Sequence, residues 1–261
     1  MLSQADLLMA FSLPARRAIE YFRAKGYQIS WAWEEVWAQA NTWAFTVAKA
    51  MNQDILEMIR AELQRVLDGG LTFEEFRRNL EPKLRAAGWW GRKEVAGPTG
   101  EATMATLGTV RRLETIYRTN TQTAYQVGRW RAFEAGKATH PYLQYIAVMD
   151  SATRPTHGAL NNRVFRFDDP IWKYIAPPNG FNCRCRLRAL SPEDMARKGL
   201  ALSESGQYLT VSNVVDAATG MVYEQASYQS LGMSTAFRPD KGWSYNPGMD
   251  WKVPFKDRLP V

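Results

Sequence analysis

The sequence predicts an α+β protein with a helical N-terminal half, a small β-containing module and an irregular C-terminal tail. Three observations predict it. Apolar residues recur at helical spacing as far as Gly136, short runs of alternating polarity begin after Pro141, and turn residues punctuate everything beyond Gly199. The expected divisions are therefore a helical region over 1–138, a module over 139–198, and C-terminal strands with a Pro/Gly-rich tail over 199–261.

The helices come first. Pro14 suits a first helical turn and Gly26 a stop around "PARRAIEYFRAKG". Ser30 is placed to cap a long helix whose apolar face runs through Trp33, Val36, Trp37, Trp43, Val47, Met51, Ile55, Ile59, Leu63 and Val66, ending at Gly69-Gly70. Thr72 followed by Glu75 forms a capping-box pattern before "FEEFRRNLEPKLRAA", in which Pro82 is a candidate kink. "GWWGRKEVAGPTGE" reads as a glycine-rich connection. A fourth helix carries Leu107, Val110, Leu113, Tyr117, Ala124, Val127 and Trp130 on one broad face and stops at Gly136.

Strands follow. "YLQYIAVMD", "RVFRF" and "CRCRLRAL" are strand candidates, and Ser191-Pro192-Glu193-Asp194 opens a short helix. "YLTVSNVVD" and "GMVYEQAS" read as short strands before the turn-rich "PDKGWSYNPGMDWKVP". No internal repeat or low-complexity tract interrupts the chain.

Composition bounds the function. At 261 residues the chain buries a proper core, as one large domain or two modest ones. No stretch approaches the roughly 18 apolar residues of a membrane span. "MLSQADLLMAFSLPARR" lacks the order of a signal peptide, so a soluble chain made in the cytoplasm, without membrane contact, is expected. Two cysteines are too few for a disulfide scaffold. A net charge of +7 suits an anionic partner such as DNA. From Asp150 to Leu190, seven cations (Arg154, Arg163, Arg166, Lys173, Arg184, Arg186, Arg188) face three acids (Asp150, Asp168, Asp169), which is +4 of that charge. Such a face either contacts phosphate or is simply solvated.

Both histidines, His140 and His157, and both cysteines, Cys183 and Cys185, fall within one 46-residue window. Imidazole and thiolate are the ligands zinc prefers, and four would complete one structural Zn²⁺ site. Cys-x-Cys is tighter than the usual knuckle. On a strand, Cys183, Cys185 and Leu187 share one face while Arg184, Arg186 and Arg188 take the other, with same-face Cα atoms about 6.5–7 Å apart. Both thiols reach one metal only if the chain bends at Asn182-Cys183, for which Pro-Pro-Asn-Gly provides the turn. Two other readings stand beside zinc: a pair of buried reduced thiols, and a disulfide at the strained limit of its geometry. His140, in a turn before Pro141, suits the surface better than a ligand set.

Asp150, His157 and a cysteine also admit the roles of orienting group, base and nucleophile, so a metal-dependent nuclease or hydrolase is the alternative reading. Against it, the chain has no nucleophile elbow, no phosphate-binding glycine loop and no His-Glu-x-x-His motif.

The stretch "PYLQYIAVMDSATRPTHGALNNRVFRFDDPIWKYIAPPNGFNCRCRLRAL" resembles the phage Mu F-like head morphogenesis family, the minor head proteins of tailed phages. The resemblance is carried by Asp150, Thr153, Arg154, Pro155 and His157, by Asp168-Asp169-Pro170, and by Pro177-Pro178-Asn179-Gly180 with Asn182-Cys183-Arg184-Cys185. "YRTNTQTAYQVGRWRAF", "AIEYFRAKG", "AFTVAKA", "GWWGR" and "DKGWSYNPG" extend it over nearly the whole chain. It implies a non-enzymatic minor head protein acting in capsid assembly near the portal. Its implied partners are the portal, other phage head proteins and duplex DNA bound without sequence preference. Its implied location is the virion, in the head interior or at the portal vertex, after synthesis in the host cytoplasm. Arg154, Arg163, Arg166, Arg184, Arg186 and Arg188 are then the candidate DNA contacts, and His157, Cys183, Cys185 and Asp150 the candidate metal set. Two positions depart from the family pattern. Ala152 stands where arginine is usual, and Gly180 where many members carry histidine, so a family metal site would need Asp150 or His140 as a replacement ligand.

Overall fold

The computed structural model describes residues 16–32, 44–50, 52–97, 100–217 and 219–251. It is α+β. Residues 16–24 are helical, and Gly26 begins a two-residue strand, β1 (Gly26–Tyr27), paired in parallel with β2 (Ala44–Phe45). This corrects the expected continuous helix from Ser30. Ser30 instead bonds Thr46 through its hydroxyl at 2.6 Å and accepts the Lys49 N–H at 2.8 Å on its carbonyl. Val47 reaches the core from a non-helical segment, which shows how helical spacing over-reads buried loop residues. Trp33, Val36, Trp37, Trp43 and Met51 lie outside the described residues, as does Pro14.

Helix α1 (Gln53–Gly69) starts where Asn52 accepts the Asp54 N–H and ends on Gly70 in the left-handed conformation. Helix α2 (Phe73–Ala86) opens with the expected reciprocal capping box between Thr72 and Glu75 and runs through Pro82. The glycine-rich connection is a second correction. It holds β3 (Arg92–Ala96) of an antiparallel hairpin whose second strand, β4 (Ala102–Thr106), lies just beyond it. Most of its side chains are exposed, so the alternation of apolar and polar residues that marks a half-buried strand is missing.

Helix α3 (Val110–Gly136) is 27 residues long and spans both cores. Leu113, Ile116, Ala124 and Val127 join α1, α2 and the 16–24 helix, whereas Trp130 joins the following module. That module is a three-stranded antiparallel sheet in the order β6–β5–β7, with β5 (Tyr142–Ile146) central, β6 (Val164–Arg166) and β7 (Arg186–Leu190). Leu143, Tyr145, Phe165 and Leu187 cover its buried face with Trp172 and Phe237. Two one-turn helices, α4 (Pro155–Gly158) and α5 (Trp172–Ile175), fill the connections.

Helix α6 (Pro192–Lys198) begins with a Ser191–Asp194 capping box. A hairpin, β8 (Leu209–Val215) with β9 (Val222–Tyr228), and a last turn, α7 (Pro247–Asp250), complete the chain's regular structure among the described residues. The segment between β9 and α7 is irregular yet packed, with Phe237, Trp243, Tyr245 and Asn246 buried. Asn246 donates to the Trp172 carbonyl at 3.0 Å, and Trp251 meets Tyr21 edge to face, so the irregular tail touches both cores. No helix among the described residues is long and apolar enough to cross a membrane.

Candidate metal centre

His157, Cys183 and Cys185 converge beneath the sheet, their ligand atoms all within 4.8 Å of one another. Each arrives by a local device. Asp150 accepts the Ala152 N–H at 3.1 Å, Thr153 donates to the Val148 carbonyl, and Pro155 starts the α4 turn that buries His157. Asn182 adopts a positive φ of 58°, a conformation asparagine tolerates better than most residues, and the Cys183 N–H closes a turn onto the Gly180 carbonyl at 3.2 Å. That is the bend at Asn182-Cys183 that two same-face thiols require. Both cysteines are reduced and buried. The strand β7 begins just after them, so Cys185 and Leu187 face the core and Arg186 faces out.

The ring of His157 is used on both sides. Nδ1 lies 3.8 Å from Cys183 Sγ, and Nε2 lies 3.8 Å from Asp240 Oδ1. Nε2 is buried without a hydrogen-bond partner among the described residues. Asp240 is gripped from its other side by Arg154 at 2.6 Å, and Arg154 also donates to the Phe181 carbonyl at 3.1 Å. Phe237 packs against the imidazole, and Tyr145 accepts a hydrogen bond from buried Asn179 at 3.0 Å. The carbonyl of Cys185 is tied to α3 by Gln122 and Gln126, each donating at 3.2 Å.

The electrostatics divide the thiols. The bond from Cys185 and the neighbouring imidazole pull Cys183 well below the usual thiol range. The bond to Cys183 and burial push Cys185 up. Burial likewise pushes the Asp240 carboxyl up, against the pull of Arg154 and His157. Two thiols and an imidazole in reach of one point are donors zinc favours. Cysteine, histidine and carboxylate also form the row expected of an activated thiol, but Cys183 is only 5% exposed, whereas reactive cysteines are partly open to solvent.

Other sequence-predicted residues go elsewhere. Asp150 is not in the cluster; Arg184 takes its carboxylate in a two-pronged ion pair at 2.7 and 2.5 Å. That contact holds the carboxyl down to about 2. His140 is exposed, next to the Thr139 hydroxyl. Of the candidate DNA contacts, Arg154 is an internal tether, Arg166 pairs with Asp168, and Arg184 is engaged by Asp150. Arg163 is half-buried, while Arg186 and Arg188 are exposed on the outer face of β7, with no ion pair among the described residues. Asp240, Gln122 and Gln126 were not singled out from sequence. Asp240 lies in "DKGWSYNPG" and the glutamines in "YRTNTQTAYQVGRWRAF", so the resemblance of those flanks was the available signal.

Residues 57–188, half of the chain, match the family described as phage Mu protein F like protein. The chain belongs to that family. The matched span holds His157, Cys183 and Cys185, but not Asp240. Across the longer alignments, the chain is 46% identical over 246 residues to the capsid assembly protein F of Escherichia phage Mu, covering 93% of this chain and 56% of that protein. It is 37% identical over 224 residues to the Mu-like prophage FluMu F protein of Haemophilus influenzae, covering 84% and 53%. The chain therefore spans about half the length of these curated relatives. No solved structure matches it.

Proposed function

We propose that this chain is a minor head protein acting in phage capsid assembly near the portal, in the head interior or at the portal vertex. The observation that carries the reading is the 46% identity to a capsid assembly protein over 93% of the chain. Its partners are the portal and other head proteins, and it performs no turnover. The test is deletion of the gene in the phage or prophage that carries it, followed by induction and electron microscopy. Absent or aberrant heads beside normal tails, restored by this chain, support the role; normal filled heads overturn it.

Two finer elements belong to the same reading. Duplex DNA is met without sequence preference by the exposed arginines of β7, because phosphate contacts carry affinity but little sequence information. His157, Cys183 and Cys185 hold one structural Zn²⁺, which would clamp α4 to the segment that leads into β7. Bound zinc would tie the three side chains together in folding and perform no chemistry. Metal analysis of protein purified without chelator checks this: one zinc per chain, lost in Cys183→Ser/Cys185→Ser together with thermal stability, is the expected result. Metal-free protein with two titratable thiols would reduce the cluster to buried packing.

A further inference from the structure

We propose that Asp240 is the positioning residue of the His157–Cys183–Cys185 site: it accepts the Nε2–H of His157 and so turns Nδ1 toward the thiols. The inference rests on the metal reading above and adds to it a residue from beyond the matched family span. A metal-binding imidazole commonly donates its second ring N–H to a carboxylate, which sets both the tautomer and the ring angle.

Four observations carry it. The two ring nitrogens of His157 face different partners, Nδ1 toward Cys183 Sγ and Nε2 toward Asp240 Oδ1, each at 3.8 Å. Nε2 is fully buried with no hydrogen-bond partner among the described residues, and the Asp240 carboxylate is the ion-pairing oxygen that faces it, at 3.8 Å. Asp240 is itself held in place: Arg154 binds its other oxygen at 2.6 Å and its backbone N–H donates to the Asn179 carbonyl at 2.8 Å. Finally, a Cβ at Gly180 would overlap the Asp240 carboxylate, so the absence of a side chain there is what lets Asp240 in.

Asp240 is placed to position and not to ligate. It faces Nε2 whereas Cys183 faces Nδ1, and it lies outside the group whose ligand atoms share one 4.8 Å neighbourhood. An ion on Nδ1 leaves the ring proton on Nε2, where movement of under 1 Å closes the 3.8 Å gap to ordinary hydrogen-bond length. The Nε2–H bond strengthens the imidazole as a donor to the metal, which is the physical route from carboxylate to ion.

The experiment uses the full chain and Co²⁺ as a spectroscopic probe, with histidine labelled in ¹⁵N. The chain has only two histidines, so exposed His140 is an internal reference for His157. Wild type is expected to bind Co²⁺ with thiolate charge-transfer bands and a slowly exchanging, hydrogen-bonded His157 Nε2–H. Asp240→Ala should keep the bands, weaken Co²⁺ binding by about 10- to 100-fold and lose the protected proton. Asp240→Asn keeps an acceptor oxygen and should restore the protected proton and part of the affinity. Gly180→Ala, which leaves Asp240 unchanged but displaces its carboxylate, should weaken binding in the same way, so the test does not depend on one variant folding.

Unaltered affinity and an unaltered Nε2–H in Asp240→Ala would overturn the proposal while leaving the metal reading standing. Altered bands in that variant would make Asp240 a ligand and overturn its positioning role. Failure of wild type to bind Co²⁺ at all would remove the metal reading, and the proposal with it.

Discussion

Arg184 binds both carboxylate oxygens of Asp150, at 2.7 and 2.5 Å, and thereby joins the loop after β5 to the residue between the two cysteines. The pair diverts an expected ligand and an expected DNA contact into each other. A guanidinium fork matches a carboxylate better than it matches any other side chain, so the two residues satisfy one another at the rim of the site.

The first prediction concerns acid. The Asp150 carboxyl titrates at about 2 in the folded chain against 3.8 for the free group. A depressed folded value means the stabilisation is present above about pH 4 and is lost as pH falls toward 2. Asp150→Asn should flatten that part of the thermal-stability profile and lower stability at pH 7 by the same amount, which is small because the pair is exposed and screened by salt. An unchanged acid limb would show that the ion pair adds nothing to stability.

Gln122 and Gln126 present a second case. Both donate to the Cys185 carbonyl, so either alone leaves it satisfied. Single alanine variants should cost little, while the double variant should cost about 1–3 kcal/mol by leaving a buried acceptor bare. Urea unfolding of the three variants measures the coupling, and simple additivity would contradict it.

Trp172 anchors the module. Its ring is buried against Phe165, its indole N–H donates to the Arg166 carbonyl at 2.8 Å, and its own carbonyl accepts from Asn246. Trp172→Ala should cost about 3–5 kcal/mol in denaturant unfolding. A loss under 1 kcal/mol would mean that the irregular tail holds the module without this anchor.

The arginines separate by partner. Arg186→Ala/Arg188→Ala should lower the slope of log affinity for duplex DNA against log salt by about 2, at about 0.9 per phosphate contact. Arg154→Ala should leave that slope unchanged and instead lower thermal stability, because its guanidinium holds Asp240 and the Phe181 carbonyl. Fluorescence anisotropy across a salt series reads the first effect, and thermal melts the second. Equal slopes in all variants would remove β7 from any DNA interface.

Much of this fold was legible in the residues themselves. The capping box at Thr72, the helix start at Ser191, the face of α3 from Leu113 onward and the bend before Cys183 are local, written within a few neighbouring side chains. Leu107, expected on that face of α3, lies before the helix, and Val110 is exposed. The β3–β4 hairpin was not legible, because exposed strands lack an apolar rhythm. The break at residues 44–50 in the helix expected from Ser30 was hidden for the opposite reason: buried loop residues such as Val47 mimic helical spacing.

The site divides along the same line. The amino-acid sequence by itself determined the kind of chemistry, since two histidines, two cysteines and a cluster of arginines bound what the module can hold. It also determined the inward face of Cys183 and Cys185, because alternation along an extended chain is a local rule. Tertiary structure alone decided the partners. Whether Arg154 meets DNA or Asp240, whether Asp150 meets a metal or Arg184, and which carboxylate stands behind His157 depend on contacts between residues far apart in the chain. Charge and hydrogen-bonding capacity are fixed by side-chain type, but the partner that satisfies them is set by which segments packing brings within a few ångströms.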